Sequence, residues 1–200
     1  MMLIALAAVV AYASSPQTAA IGALYFDPKR APVVRRVNVV GRYATVLTSG
    51  GRMEGELVTE AILVERFSFG WQPLDILNER CRLESQALGG RIDASLMAGM
   101  PGTHDDGPCR GYFKDSGPER DVESVRRLMR GPLVPYVLVA GEWAKGGWYG
   151  AGGGESLYEK RDGRWTLAIS GGGAMGVDYM RKYGVPKAAW CKLGIFDARC

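Results

Sequence analysis

The stretch YEKRDGRWTL, Tyr158 to Leu167, decides how this chain is read. Asp162-Gly163 is a two-residue type I′ turn signal between two extended runs. It sets Arg161 opposite Arg164, Lys160 opposite Trp165 and Tyr158 opposite Leu167. Tyr158, Trp165 and Leu167 then share one face and are expected to pack, with the Lys160 stem lying along Trp165. An antiparallel hairpin this well marked makes the tail of the chain β.

Glycine runs flank the hairpin: Gly146 to Gly154 before it and Gly171 to Gly173 after it. Asp178 to Tyr183 reads as a short helix stopped by Gly184 and Pro186, and Lys187 to Lys192 as a further turn. Leu133 to Ala140 is almost wholly apolar and reads as a buried central strand, with Pro135 signalling an edge or bulge near its start. Before it, Pro118 to Arg130 reads as a helix. Val122, Val125 and Met129 form its apolar stripe, acids fill its first turn and arginines its last, and Gly131-Pro132 ends it. Val37–Val40, Tyr43–Thr48 and Leu57–Phe69 read as strands. Ser49-Gly50-Gly51 is a turn signal, and Thr59–Glu60 marks either a turn or a bend. Pro73 to Leu83 reads as a helix, with Pro73 in its first turn and Leu74, Leu77 and Cys81 on one side. The sum is an α+β chain: an antiparallel sheet packed on two or three short helices, with glycine-rich loops and disulfide bridges.

Two hundred residues, 47 % apolar and 23 % charged, suit one ordinary domain. The 28 glycines are about twice the usual share and follow no three-residue period. A net charge of +4 without a basic tail gives no reason to expect nucleic acid.

Leu3 to Val10 is an unbroken apolar run, followed by the small-x-small pattern Ala11-Tyr12-Ala13, with Thr18-Ala19-Ala20 as a second cleavage candidate. Residues 1–20 are therefore expected to be a signal or targeting segment. Residues 21–200 would then form one domain, with 135–200 as a C-terminal module. The run is short for a membrane span, and no other stretch is long enough. Cys81, Cys109, Cys191 and Cys200 form no zinc-type spacing and suit an oxidising compartment. Of the three connectivities, Cys81–Cys109 with Cys191–Cys200 closes the shortest loops. The expected location is periplasmic or secreted.

Chemistry is sparsely marked. His104 is the sole histidine, in Thr103-His104-Asp105-Asp106, and these neighbours read as a solvated loop rather than a metal site. A hydrolase would have to pair His104 with Ser156 or Ser170, neither of which sits in a nucleophile elbow. Gly152-Gly153-Gly154-Glu155-Ser156 lacks the lysine of a phosphate loop. No cofactor is implied. The candidate ligand face is Trp143, Trp148 and Tyr149 with Glu155: rings among glycines that can stack on a glycan or an extended peptide. The same glycines also let strands approach the rings closely, which is a structural role.

The segment from about Pro135 to Pro186 resembles the tail of uncharacterised exported bacterial proteins of a cyanobacterial type. The shared pattern is Trp143, Gly152-Gly153-Gly154, Glu155, Lys160, Trp165, Gly171-Gly172-Gly173 and Gly184-Val185-Pro186. The resemblance implies export and a self-contained C-terminal module, and it carries over no catalytic residue. The expected function is a non-catalytic, envelope-associated or exported protein that binds through the aromatic-glycine face.

Overall fold

A computed structural model describes residues 13–23, 32–53, 56–76, 93–97, 99, 115–129, 131–149, 153–195 and 197–199. The chain is α+β, with two four-stranded antiparallel sheets where the sequence suggested one. The first sheet is a meander of β1 (Val33–Val40), β2 (Tyr43–Met53), β3 (Glu56–Phe67) and β4 (Gly70–Ile76). The second is a meander of β5 (Val137–Ala140), β6 (Trp143–Tyr149), β7 (Gly153–Arg161) and β8 (Arg164–Gly172). The helices among the described residues are α1 (Pro16–Ala23), α2 (Glu119–Leu128), α3 (Val177–Lys182) and α4 (Lys187–Trp190), with a 3-10 turn at Ala94–Met97. No helix among the described residues is long and apolar enough to cross a membrane.

Alternation along the strands divides the first sheet into two faces. Ala44, Val46, Ile62 and Val64 point to one side and pack against Ala19, Ala20 and Ala23 of α1 and against Leu133. The expected segment boundary at residue 20 thus falls inside α1. Ala61, Leu63 and Phe67 point to the other side, where they pack with Leu74 and Leu96.

The second sheet is covered on both faces. Val122 and Val125 of α2, with Met129 just after it, pack on Val137, Val139, Ala144, Tyr158 and Trp165. The opposite face meets α3, α4 and the residues after them, with Met180, Leu193 and Ile195 against Leu138, Trp143 and Leu157. This double cover explains why Leu133–Ala140 is so apolar. The strand itself is only Val137–Ala140, and it lies at an edge rather than the centre. A parallel bridge from Ser116 to Leu138 covers that edge.

The Asp162-Gly163 hairpin forms with the register expected, Arg161↔Arg164, Lys160↔Trp165 and Tyr158↔Leu167. Asp162 has φ 50° and Gly163 φ 74°, the two positive values that the turn type requires. Tyr158 and Trp165 pack as expected. Leu167 does not: it stays 53 % exposed, next to an irregularity between Leu157 and Tyr158.

Two further expectations are corrected. Pro73 to Ile76 belongs to β4, not to a helix; the remainder, 77–83, lies outside the described residues. β4 is an edge strand, so a residue without an N–H is tolerated there, and the Pro73 carbonyl accepts from Val134 N at 3.0 Å. Ser49-Gly50-Gly51 is not a turn either. β2 runs through it as a bulge against β3, between Ser49 and Gly51.

Candidate functional site

Of the residues expected to form an aromatic face, Trp143 and Trp148 are not brought together. Trp143 and Trp148 are five apart on one strand, so they point to opposite sides of β6. Trp143 is buried with the α3 and α4 cluster, and Trp148 packs on the α2 cluster. The Tyr149 side chain lies outside the described residues. The neighbouring glycines serve close packing. A Cβ on Gly147 would sit 2.5 Å from the Tyr136 ring, and one on Gly154 only 2.0 Å from the Gly171 carbonyl oxygen.

Glu155 faces inward and is fully engaged. Its Oε1 accepts from Lys145 Nζ at 2.7 Å and from the Tyr136 hydroxyl at 2.6 Å. Its Oε2 accepts from the Met175 amide at 2.6 Å. Lys145 also donates to the Gly194 carbonyl at 2.9 Å. One buried ion pair therefore ties β6 and β7 to both ends of the C-terminal segment. Ser156 and Ser170 are cross-strand partners whose hydroxyls bond each other at 2.8 Å. His104 lies outside the described residues, as do Cys81, Cys109 and Cys200. Cys191, which follows the last residue of α4, is the one cysteine among the described residues.

A different site lies where α2 meets the first sheet. α2 is two-sided. Its valines face the second sheet, while Glu119, Glu123, Arg126 and Arg127 reach the first. Arg126 is 1 % exposed and acts as a clamp. Its Nε and Nη2 bond Asp115 at 3.0 and 2.7 Å, and its Nη1 bonds the Gln72 side chain and the Val134 carbonyl, each at 2.9 Å. The guanidinium also lies 4.7 Å from the centre of the Phe67 ring. Every arm of the fork has a partner, so the cost of burying this charge is offset. Nearby, the tip of the β3–β4 hairpin docks on α2, where Glu123 accepts from both the amide and the hydroxyl of Ser68.

Beside this clamp opens a cleft of about 390 Å³. Arg42, Tyr43, Glu65, Phe67, Asp115 and Glu119 are among the residues that line it. Glu65 is 6 % exposed at its inner wall. It shares the inward parity of Ala61, Leu63 and Phe67 on β3 and lies opposite Tyr43 and Gln72 on the neighbouring strands. Burial pushes its carboxyl above the ordinary value; Arg126, Arg42 and a hydrogen bond from Tyr43 pull the other way without cancelling the effect, and Asp115 adds to it. Arg42, from the two-residue turn between β1 and β2, crosses the cleft. Its Nε meets Glu65 at 2.8 Å, its Nη1 meets Glu119 at 3.1 Å, and its guanidinium lies 5.4 Å from the Phe67 ring centre.

This arrangement suits recognition of a cation. It has a buried carboxylate, a second carboxylate at the rim and an aromatic wall. No group of acids, histidines or cysteines among the described residues is placed to hold a metal ion. A second hollow, of about 480 Å³ between α3, α4 and Asp197, has no comparably buried ionisable group aimed into it. Sequence reading missed Glu65, Arg42 and Phe67. The available signal was Glu65 itself, a charge on the inward parity of an apolar strand. The chain matches no family model, no curated protein and no solved structure.

Proposed function

We propose that this chain is a non-catalytic, exported binding protein whose ligand site is the cleft over Glu65, not the strand carrying Trp143 and Trp148. The observation that carries the reading is Glu65: a buried, incompletely compensated carboxylate opening onto a cleft of about 390 Å³. Most ionisable groups are kept out of interiors unless paired or used. A cleft of this volume falls within the range of small-ligand sites. Export, to a periplasmic or secreted location, is supported by the apolar run Leu3–Val10, by the cysteine content and by the resemblance of the tail. Disulfide bridging through Cys81–Cys109 and Cys191–Cys200 belongs to the same reading.

Native mass spectrometry of protein purified gently from its host tests the binding claim. The expected result is a retained small ligand that is lost from Glu119→Trp, a change at an exposed rim position. A ligand-free wild type, or equal retention by Glu119→Trp, contradicts it. Non-reduced mass and cysteine mapping of the same sample test export: two bridges and a missing leader are expected, and four free thiols with an intact N-terminus contradict it.

A further inference from the structure

We propose that the cleft is a receptor for a monoalkylguanidinium group, and that Arg42 is its resident, displaceable occupant. The inference rests on reading the cleft as the ligand site.

Three features point to a guanidinium rather than to a cation in general. First, the acceptors are split: Glu65 takes Nε of Arg42 and Glu119 takes Nη1, so one planar group bridges two carboxylates on different elements. A fork-shaped cation presents donors on separate atoms of one plane and can span such a pair, whereas an ammonium is a compact point charge whose donors all radiate from one atom. Second, Phe67 supplies a ring beside the bound group, at 5.4 Å from Arg42. Third, the site needs a cation. Arg126 is committed to Asp115, Gln72 and the Val134 carbonyl. Without Arg42, a buried Glu65 would face the cleft with that committed charge and a hydrogen bond from Tyr43 as compensation, and with no cation of its own.

Arg42 is suited to be displaced. It arises from a tight turn, its side chain is 42 % exposed, and its rim partner Glu119 is 73 % exposed. The Arg42–Glu119 pair, exposed on both sides, contributes little to stability, and the pair with the buried Glu65 is remade by the incoming guanidinium. A ligand guanidinium can therefore take the two carboxylates at small cost to the fold, while Arg42 swings into solvent. The chemistry has two sources, a small guanidinium compound or an arginine side chain of a peptide.

Ethylguanidinium, ethylammonium and the peptide Gly-Arg-Gly are titrated into full-length wild type, Arg42→Ala and Arg42→Ala/Glu65→Gln, followed by amide NMR. Arg42→Ala is expected to bind ethylguanidinium saturably, at least about tenfold tighter than wild type, because the competing side chain is gone. Ethylammonium should bind more weakly, and the double variant should not bind. Tighter binding of Gly-Arg-Gly than of ethylguanidinium assigns a peptide partner; equal binding assigns a small compound. No saturable binding by Arg42→Ala, or binding that survives Glu65→Gln, overturns the inference. Should Arg42→Ala fail to fold, the wild-type Arg42 Nε–H signal decides: movement on adding ethylguanidinium supports displacement, and a stationary signal overturns it. A host ligand that is lost from Glu119→Trp but carries no guanidinium would overturn this inference alone. A ligand-free wild type would instead remove the wider binding reading.

Discussion

Glu155 and Glu65 are both inward-facing carboxylates on β-strands, 8 % and 6 % exposed. Glu155 receives a lysine, a tyrosine hydroxyl and a backbone amide from three parts of the second sheet and its tail. Glu65 faces a cleft, and its direct ionic partner is an arginine that is 42 % exposed. Burial is nearly the same, and the surroundings are not. A carboxylate whose acceptor positions are filled by its own fold holds elements together. One whose partner comes from a surface turn, beside open volume, is available to something else. Glu155 stood out in the sequence because it followed glycines, while Glu65 passed unnoticed; local composition was a poor guide to which acid has room around it.

Lys145→Met gives the largest expected effect. It strands Glu155, and unpairing a buried ion pair costs about 3–5 kcal/mol. Urea denaturation measures it, and a loss below about 1 kcal/mol would remove the distinction between the two glutamates. Gly154→Ala comes next. Its Cβ would meet the Gly171 carbonyl at 2.0 Å, and backbone cannot yield as a side-chain tip can. Overpacking of this kind costs about 1–3 kcal/mol or more, and an unchanged melting temperature would contradict the close strand approach.

Glu65→Gln should behave differently in both size and sign. The folded-state value of Glu65 lies above its ordinary one. The folded protein therefore holds this proton more tightly than the unfolded chain does. Stability from Glu65 is full below the ordinary carboxylate range and is lost as pH rises through that range to the raised folded value. Glu65→Gln lacks that loss, so its stability relative to wild type should improve as pH rises. Denaturation midpoints from pH 4 to pH 8 measure it, and a relative decline would sink the claim.

The smallest effect is expected at Asp121, where Lys160 and the Trp165 indole both donate to Oδ1, at 2.8 and 3.0 Å. Burial alone would raise this carboxyl; the two donors outweigh it and hold it below its ordinary value. Its stabilisation is present above the ordinary value and disappears as pH falls through the lowered one. Asp121→Asn should cost about 1 kcal/mol at neutral pH and nothing in acid. An equal cost in acid would assign the loss to packing instead.

Local rules made part of this fold legible. The Asp162-Gly163 hairpin, the two-sided pattern of α2 and the strands from Val33 to Phe67 all rest on neighbours in sequence. Pro73 misled because tertiary position overrode it: at a sheet edge its missing N–H costs nothing, and the apolar spacing of Leu74 and Leu77 resembled a helix face. Trp143 and Trp148 misled for a simpler reason. A spacing of five on a strand puts them on opposite faces, and parity alone would have separated them. The cleft was not legible in the same way. It joins Arg42 from one turn, Glu65 and Phe67 from β3, Asp115 from a loop and Glu119 from α2, and nothing local links these positions.

The most direct test of the contrast is a carboxyl NMR titration of Glu65 in wild type and Arg42→Ala. Glu65 should titrate above its ordinary value in wild type, and higher still once Arg42 is gone, because Arg42 favours the ionised form. A Glu65 that titrates at or below its ordinary value, unmoved by Arg42→Ala, would mean a carboxylate already satisfied by its own fold, and the cleft would lose its claim to be a site.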